Sequence, residues 1–107
     1  MNIIDMQLIV TATAREKGWM EKGVDVPEQV ALIHSEVSEA LEAWRNKELT
    51  SWTDENGKPQ GIGSEYADIV IRVAHYCSLL GVDLDYEIQR KIAYNKTRSY
   101  RHGGKLA

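Results

Sequence analysis

A chain of 107 residues with 43% hydrophobic residues and a formal charge of −3 is sized for one domain with an ordinary apolar content. No apolar run reaches the roughly 20 residues of a bilayer span, no basic stretch leads into an apolar leader, and Cys77 is the one cysteine, so an internal disulfide is impossible and a cytoplasmic protein without a membrane partner is expected. Residues 1–89 hold all 16 acids and 7 of the 13 basic residues, while residues 90–107 hold 6 basic residues and no acid; a negative body with a positive tail suits a metal–phosphate ligand or a second subunit better than duplex nucleic acid.

Residues 2–17 read as a first helix, rich in Ile, Leu, Val and Ala and stopped at Gly18. Its apolar positions wrap more than one narrow stripe, as expected of burial against two partners. Trp19 follows in the first loop, where it can stack on a nucleobase or cap the core at a helix end. Asp25-Val26-Pro27-Glu28 starts a second helix, with a cap at Asp25 or Val26, proline in the first turn and an acid favoured by the helix dipole. That helix is expected to run to about Lys47. Within it His34 reads as a partly exposed polar residue, and Glu42 as a surface acid able to pair with Arg45. Residues 48–63 are polar, with turn signals at Asn56-Gly57 and Pro59 and no apolar periodicity. A loop that long in a small bundle is expected to be functional or disordered, and Trp52 within it is a second residue able to stack on a base or pin the loop.

A third helix is expected over residues 62–80, ended by Gly81. Its midsection, Ile69-Val70-Ile71-Arg72-Val73-Ala74, is apolar almost all round apart from Arg72, which places it centrally or in an oligomer interface. His75 reads as an interior or interface polar residue and Cys77 as core. Asp83 caps a fourth helix over residues 84–99. There Lys91, Asn95 and Arg98 recur at i, i+4 and i+7 as one polar stripe. The stripe is either a solvated face or a phosphate and ribose contact, since arginine binds phosphate through two donors at once. Neither a P-loop nor a dinucleotide-binding glycine fingerprint is present. Two strongly apolar helices in so short a chain predict an obligate oligomer.

The feature with the most chemistry is a doubled acid pair. Glu36 and Glu39 lie i, i+3 in the second helix, and Glu65 and Asp68 lie i, i+3 in the third. That spacing puts each pair on one face, where like charges repel unless a cation sits between them. With Glu36 as origin at about 100° per residue, Val30, Ile33, Val37, Ala40, Leu41 and Trp44 centre roughly 80° to one side and Glu39 falls roughly 60° to the other. The third helix repeats the offset around Glu65. Four carboxylates facing one another across two antiparallel helices would suit a hard divalent cation, usually Mg²⁺ where phosphate shares the coordination.

The order Glu36-x-x-Glu39, Glu65-x-x-Asp68 resembles the signature of the MazG-like all-α nucleoside triphosphate pyrophosphohydrolases. The run Lys91-Ile92-Ala93-Tyr94-Asn95-Lys96-Thr97-Arg98 with Arg101-His102-Gly103-Gly104-Lys105 is similar to that family's C-terminal elements, so the resemblance covers roughly residues 26–105. It implies a single domain over residues 1–107, an all-α four-helix MazG-like bundle completed by oligomerisation to a homodimer or homotetramer. It implies Mg²⁺, with Mn²⁺ as a substitute, on Glu36, Glu39, Glu65 and Asp68, and cleavage of an NTP or dNTP to the monophosphate and pyrophosphate. Glu36 or Glu39 would orient or deprotonate the attacking water. Lys91 and Arg98 would clamp phosphates and Asn95 would position the sugar or a phosphate oxygen. Trp19 resembles the base-stacking tryptophan of some members. Two departures bear on substrate choice: Ser35 stands where some members carry a further glutamate, and Arg72 where dNTP-selective relatives tend to have an aromatic. The competing readings are a phosphoribosyl-ATP pyrophosphatase-like enzyme, which shares the scaffold, and a non-catalytic helical interaction module with solvated acid rows.

Overall fold

A computed structural model describes residues 1–19 and 23–98. The chain is mostly helical, in the order α1 (Ile3–Glu16), α2 (Val26–Arg45), β1 (Trp52–Thr53), β2 (Pro59–Gln60), α3 (Ile62–Leu79) and α4 (Leu84–Thr97). α3 lies at the centre, packed on α2 and on α1; α4 rests on α1. No helix among the described residues is long and apolar enough to cross a membrane.

Local chemistry accounts for the boundaries. Asp25 accepts a hydrogen bond from the Glu28 amide at 3.1 Å, and Asp83 one from the Tyr86 amide at 3.1 Å, as acidic N-caps do. A third cap, Asn2 accepting from the Asp5 amide at 2.7 Å, starts α1. α2 ends at Arg45 rather than near Lys47, because Lys47 takes the left-handed turn at φ 60° that closes the helix and sends the Glu48 amide back to the Ala43 carbonyl. α4 is shorter than expected, ending at Thr97 with Arg98 already extended.

Residues 48–63 are not an irregular loop. β1 and β2 form a small antiparallel hairpin in which Trp52 pairs with Gln60 and Thr53 with Pro59. Asp54 organises it: Oδ1 accepts from the Asn56 and Lys58 amides, and Oδ2 from Gln60 Nε2 at 3.0 Å. Those donors hold the Asp54 carboxyl below its ordinary pKa. The hairpin returns tightly at Gly61, where φ is 107° and a Cβ would stand 2.5 Å from the Thr50 carbonyl oxygen, so only glycine fits. The apolar-periodicity test missed these strands because two residues are too few to show an alternation.

The packing also departs from the helical-wheel expectation. Among the described residues the buried apolar ones are Ala14, Ala40, Ala43 and Ala74, and no large side chain is fully buried. On α2 the stripe read as core is largely open: Val30 is 48% exposed, Val37 48%, Leu41 49% and Trp44 60%. Ala40 of that stripe is buried as expected, but its buried companions are Gln29 and Ala43, and the three centre close to Glu36 itself, roughly 80° round from the stripe. Small side chains explain the choice, since alanine lets helix backbones approach closely and α3 docks along that line. Gln7 supplies a second unforeseen tie. Its Nε2 donates to Ser78 Oγ and to the Val82 carbonyl, and its Oε1 accepts from the Leu84 amide, joining α1 to the α3–α4 turn.

Candidate metal centre and adjoining cavity

Turning the Glu36 face of α2 toward α3 brings the acids together. Glu36, Glu65 and Asp68 each present a carboxylate oxygen within 4.8 Å of the other two. Glu36 and Glu65 are half-buried and Asp68 is exposed. Glu39, one turn along α2, is exposed and outside that triplet, although its charge still reaches Glu65. Burial first, then the charges of Asp68, Glu39 and Glu36, raise the Glu65 pKa above its ordinary 4.5. The three acids therefore concentrate negative charge, which one ion pair to Glu36 relieves only in part.

The donor set fits a hard cation. All three donors are carboxylate oxygens, the ligand type that Mg²⁺ and Mn²⁺ take. In an octahedral Mg²⁺ shell neighbouring oxygens stand about 3.0 Å apart and opposite ones about 4.2 Å, so three oxygens within 4.8 Å of one another would draw together by side-chain rotation to share one ion.

Arg72 is the residue that sequence reasoning did not place in the site. Its Nε donates to Glu36 Oε1 at 2.8 Å and its Nη1 to the Tyr76 hydroxyl at 2.8 Å. Those hydrogen bonds raise its pKa despite the opposing effect of partial burial. The signal was present: Arg72 follows Asp68 by four residues and Glu65 by seven, on the same side of α3, and it interrupts an apolar run.

Beside the acids, α1, α2 and α3 enclose a cavity of about 570 Å³. Glu36, Asp68 and Arg72 form its polar wall; Trp19, His75 and Tyr76 are its ring-bearing residues. Trp19 is 67% exposed, so it borders the cavity rather than capping a core. His75 is half-buried with Nδ1 enclosed and unpartnered, and burial followed by the nearby Arg72 charge lowers its pKa below 6.5. Asp68 and Ile71 also border a second groove of about 540 Å³, between the hairpin and α3, to which Trp52 contributes.

Other expected residues fall away from this cluster. Lys91, Asn95 and Arg98 are exposed on α4 or at its end, and none lines either cavity. Arg98 instead lies over the Tyr94 ring at 5.9 Å. The run Arg101-His102-Gly103-Gly104-Lys105 lies outside the described residues. His34 is exposed, as read, and Glu42 pairs with Arg45 at 3.8 Å. Cys77 is half-buried, and burial raises its thiol pKa, against a nucleophilic role.

Fold and site together define an all-α chain with a carboxylate cluster at the mouth of a partly aromatic cavity. No family model, no curated protein and no solved structure matches it.

Proposed function

We propose that this chain is a Mg²⁺-dependent nucleoside triphosphate pyrophosphohydrolase of the MazG-like all-α kind, converting an NTP or dNTP to the monophosphate and pyrophosphate. The observation that carries the reading is the convergence of Glu36, Glu65 and Asp68 from two helices at the edge of a cavity large enough for a nucleoside. The acid motif that resembles the family is the one whose members meet, although only residues from one i, i+3 pair and half of the other lie in the triplet.

Glu36, Glu65 and Asp68, with Glu39 at the rim, would hold the cation, which when bound supplies neutralisation of charge on phosphate oxygens. Glu39 has no hydrogen-bond or ion-pair partner among the described residues, whereas Glu36 already gives one oxygen to Arg72. That makes Glu39 the better-placed of the two to take a proton from the attacking water. Trp19 offers a ring face at the cavity edge for the base.

The active unit in this reading is a homodimer or homotetramer. The exposed stripe of Val30, Val37, Leu41 and Trp44, to one side of the line that meets α3, supports it, as does a core built of alanines. A second chain would supply the Lys91, Asn95 and Arg98 stripe that one chain leaves outside its own cavity. The same exposed stripe also favours the second reading, a helical interaction module without turnover.

A panel of NTPs and dNTPs, assayed with and without Mg²⁺ and resolved by ion-exchange chromatography, tests the proposal. Monophosphate plus pyrophosphate, lost on chelation, is the expected result. Diphosphate plus orthophosphate would overturn the family reading, and no turnover on any nucleotide would favour the interaction module.

A further inference from the structure

Arg72 is costly where it stands. It breaks an apolar stretch of α3, and its side chain is 37% exposed and faces the cavity between Glu36 and Tyr76. A guanidinium carries five N–H donors. One is spent on Glu36 and one on Tyr76; the other three have no acceptor among the described residues. Among the described residues Arg72 is also the one lysine or arginine lining this cavity. Its anchor, Glu36, is one of the three acids of the candidate metal centre, so the arginine and a cation would draw on the same carboxylate.

Resting on the nucleotide-hydrolase reading above, we propose that Arg72 binds a phosphate of the substrate, and that Glu36 holds it as an internal counter-ion until a divalent cation claims that carboxylate. The exchange conserves pairing. Glu36 trades a guanidinium for the cation, and the guanidinium trades a carboxylate for a phosphate, which accepts two parallel N–H donors as a carboxylate does. Tyr76 keeps the guanidinium at the cavity wall during the exchange, because its hydroxyl accepts from a different nitrogen.

The alternative role for Arg72 is to position Glu36 for the metal, and the two roles differ in sign. Mn²⁺ binding to the nucleotide-free protein, titrated by electron paramagnetic resonance, is compared in wild type, Arg72→Met and Arg72→Lys. Steady-state kcat and KM on the best nucleotide of the panel follow. The expected result is Mn²⁺ binding about threefold tighter in Arg72→Met, the scale of losing one partly exposed ion pair, with kcat about 100-fold lower, as when a donor to a developing anionic charge is removed. Arg72→Lys, which keeps the charge and loses the fork, is expected to recover part of kcat and to guard against misfolding of the methionine variant. Weaker Mn²⁺ binding in Arg72→Met, or an unchanged kcat, overturns the proposal and leaves the hydrolase reading standing. Failure of wild type itself to bind Mn²⁺ overturns the metal centre, and this proposal with it.

Discussion

α3 and α4 each carry polar residues at helical spacing along one side: Glu65, Asp68 and Arg72 on α3, and Lys91, Asn95 and Arg98 along α4 and its end. On α3 these side chains meet partners from other elements, since α2 and α1 pack against it. Arg72 reaches Glu36 across a gap of 36 residues in sequence, and Glu65 feels Glu36 and Glu39 of α2. On α4 no residue is buried, and its two arginines find partners locally: Arg90 pairs with Glu87 and lies over Tyr86, and Arg98, at its end, lies over Tyr94. A polar stripe becomes a site when a second surface faces it. α3 has that surface within the chain, and α4 would have to borrow it from another copy.

The largest effect expected from this contrast is on turnover. Asp68→Asn or Glu39→Gln is expected to lower kcat about 100-fold or more, with the helical circular dichroism unchanged; full activity in either variant would mean the acids are not the site. Packing gives the next contrast. Ala74 is 0% exposed, so Ala74→Leu is expected to cost about 2 kcal/mol in urea unfolding through overpacking. Ala93→Leu, on the open side of α4, is expected to stay within about 0.5 kcal/mol. A large loss at Ala93 would show that another copy covers α4 in solution.

Substitution at Arg98 sharpens the comparison further. If a second chain brings this arginine to the phosphates, Arg98→Ala is expected to raise KM about tenfold, the worth of one charge-assisted contact. Activity should then fall on dilution as light scattering reports dissociation. An unchanged KM would return the α4 stripe to a solvated face.

The smallest effect is on the pH dependence of stability. The folded pKa of Glu65 is raised, so its contribution to stability is full below its ordinary 4.5 and is lost as pH rises through the folded value. The folded pKa of His75 is lowered, so its contribution is full above its ordinary 6.5 and is lost as pH falls toward the folded value. Urea midpoints followed from pH 4 to 8 should lose the first slope in Glu65→Gln and the second in His75→Gln, and saturating Mg²⁺ should flatten the Glu65 slope in wild type. A Glu65 slope insensitive to Mg²⁺ would argue against a cation among these acids.

The helices were legible because their signals are local. Asp25, Asp83 and Gly81 act within a turn of the element they start or stop, and the acid spacing needs nothing beyond its own helix. The site was half legible. Glu36, Glu65 and Asp68 stood out as a repeated pattern, whereas Arg72 was visible as an oddity in an apolar run and a departure from the resembled family, with no partner assigned to it. Of the hairpin only the turn at Asn56-Gly57 was legible, and its strands were not. Its order comes from one aspartate accepting three hydrogen bonds, and Asp54 looks like any other polar loop residue until the turn is closed.

Hydrophobic periodicity and capping chemistry thus account for four helices and for acids on two of them, since both depend on neighbours a few residues apart. Which face of α2 turns inward is a property of the packed molecule. The large stripe has more apolar surface to bury, but the alanine line lets α3 approach closely, and that approach puts Glu36 beside Arg72, Glu65 and Asp68. No count of apolar residues along one helix contains that outcome, because it depends on the width of the neighbour as much as on the hydrophobicity of the face.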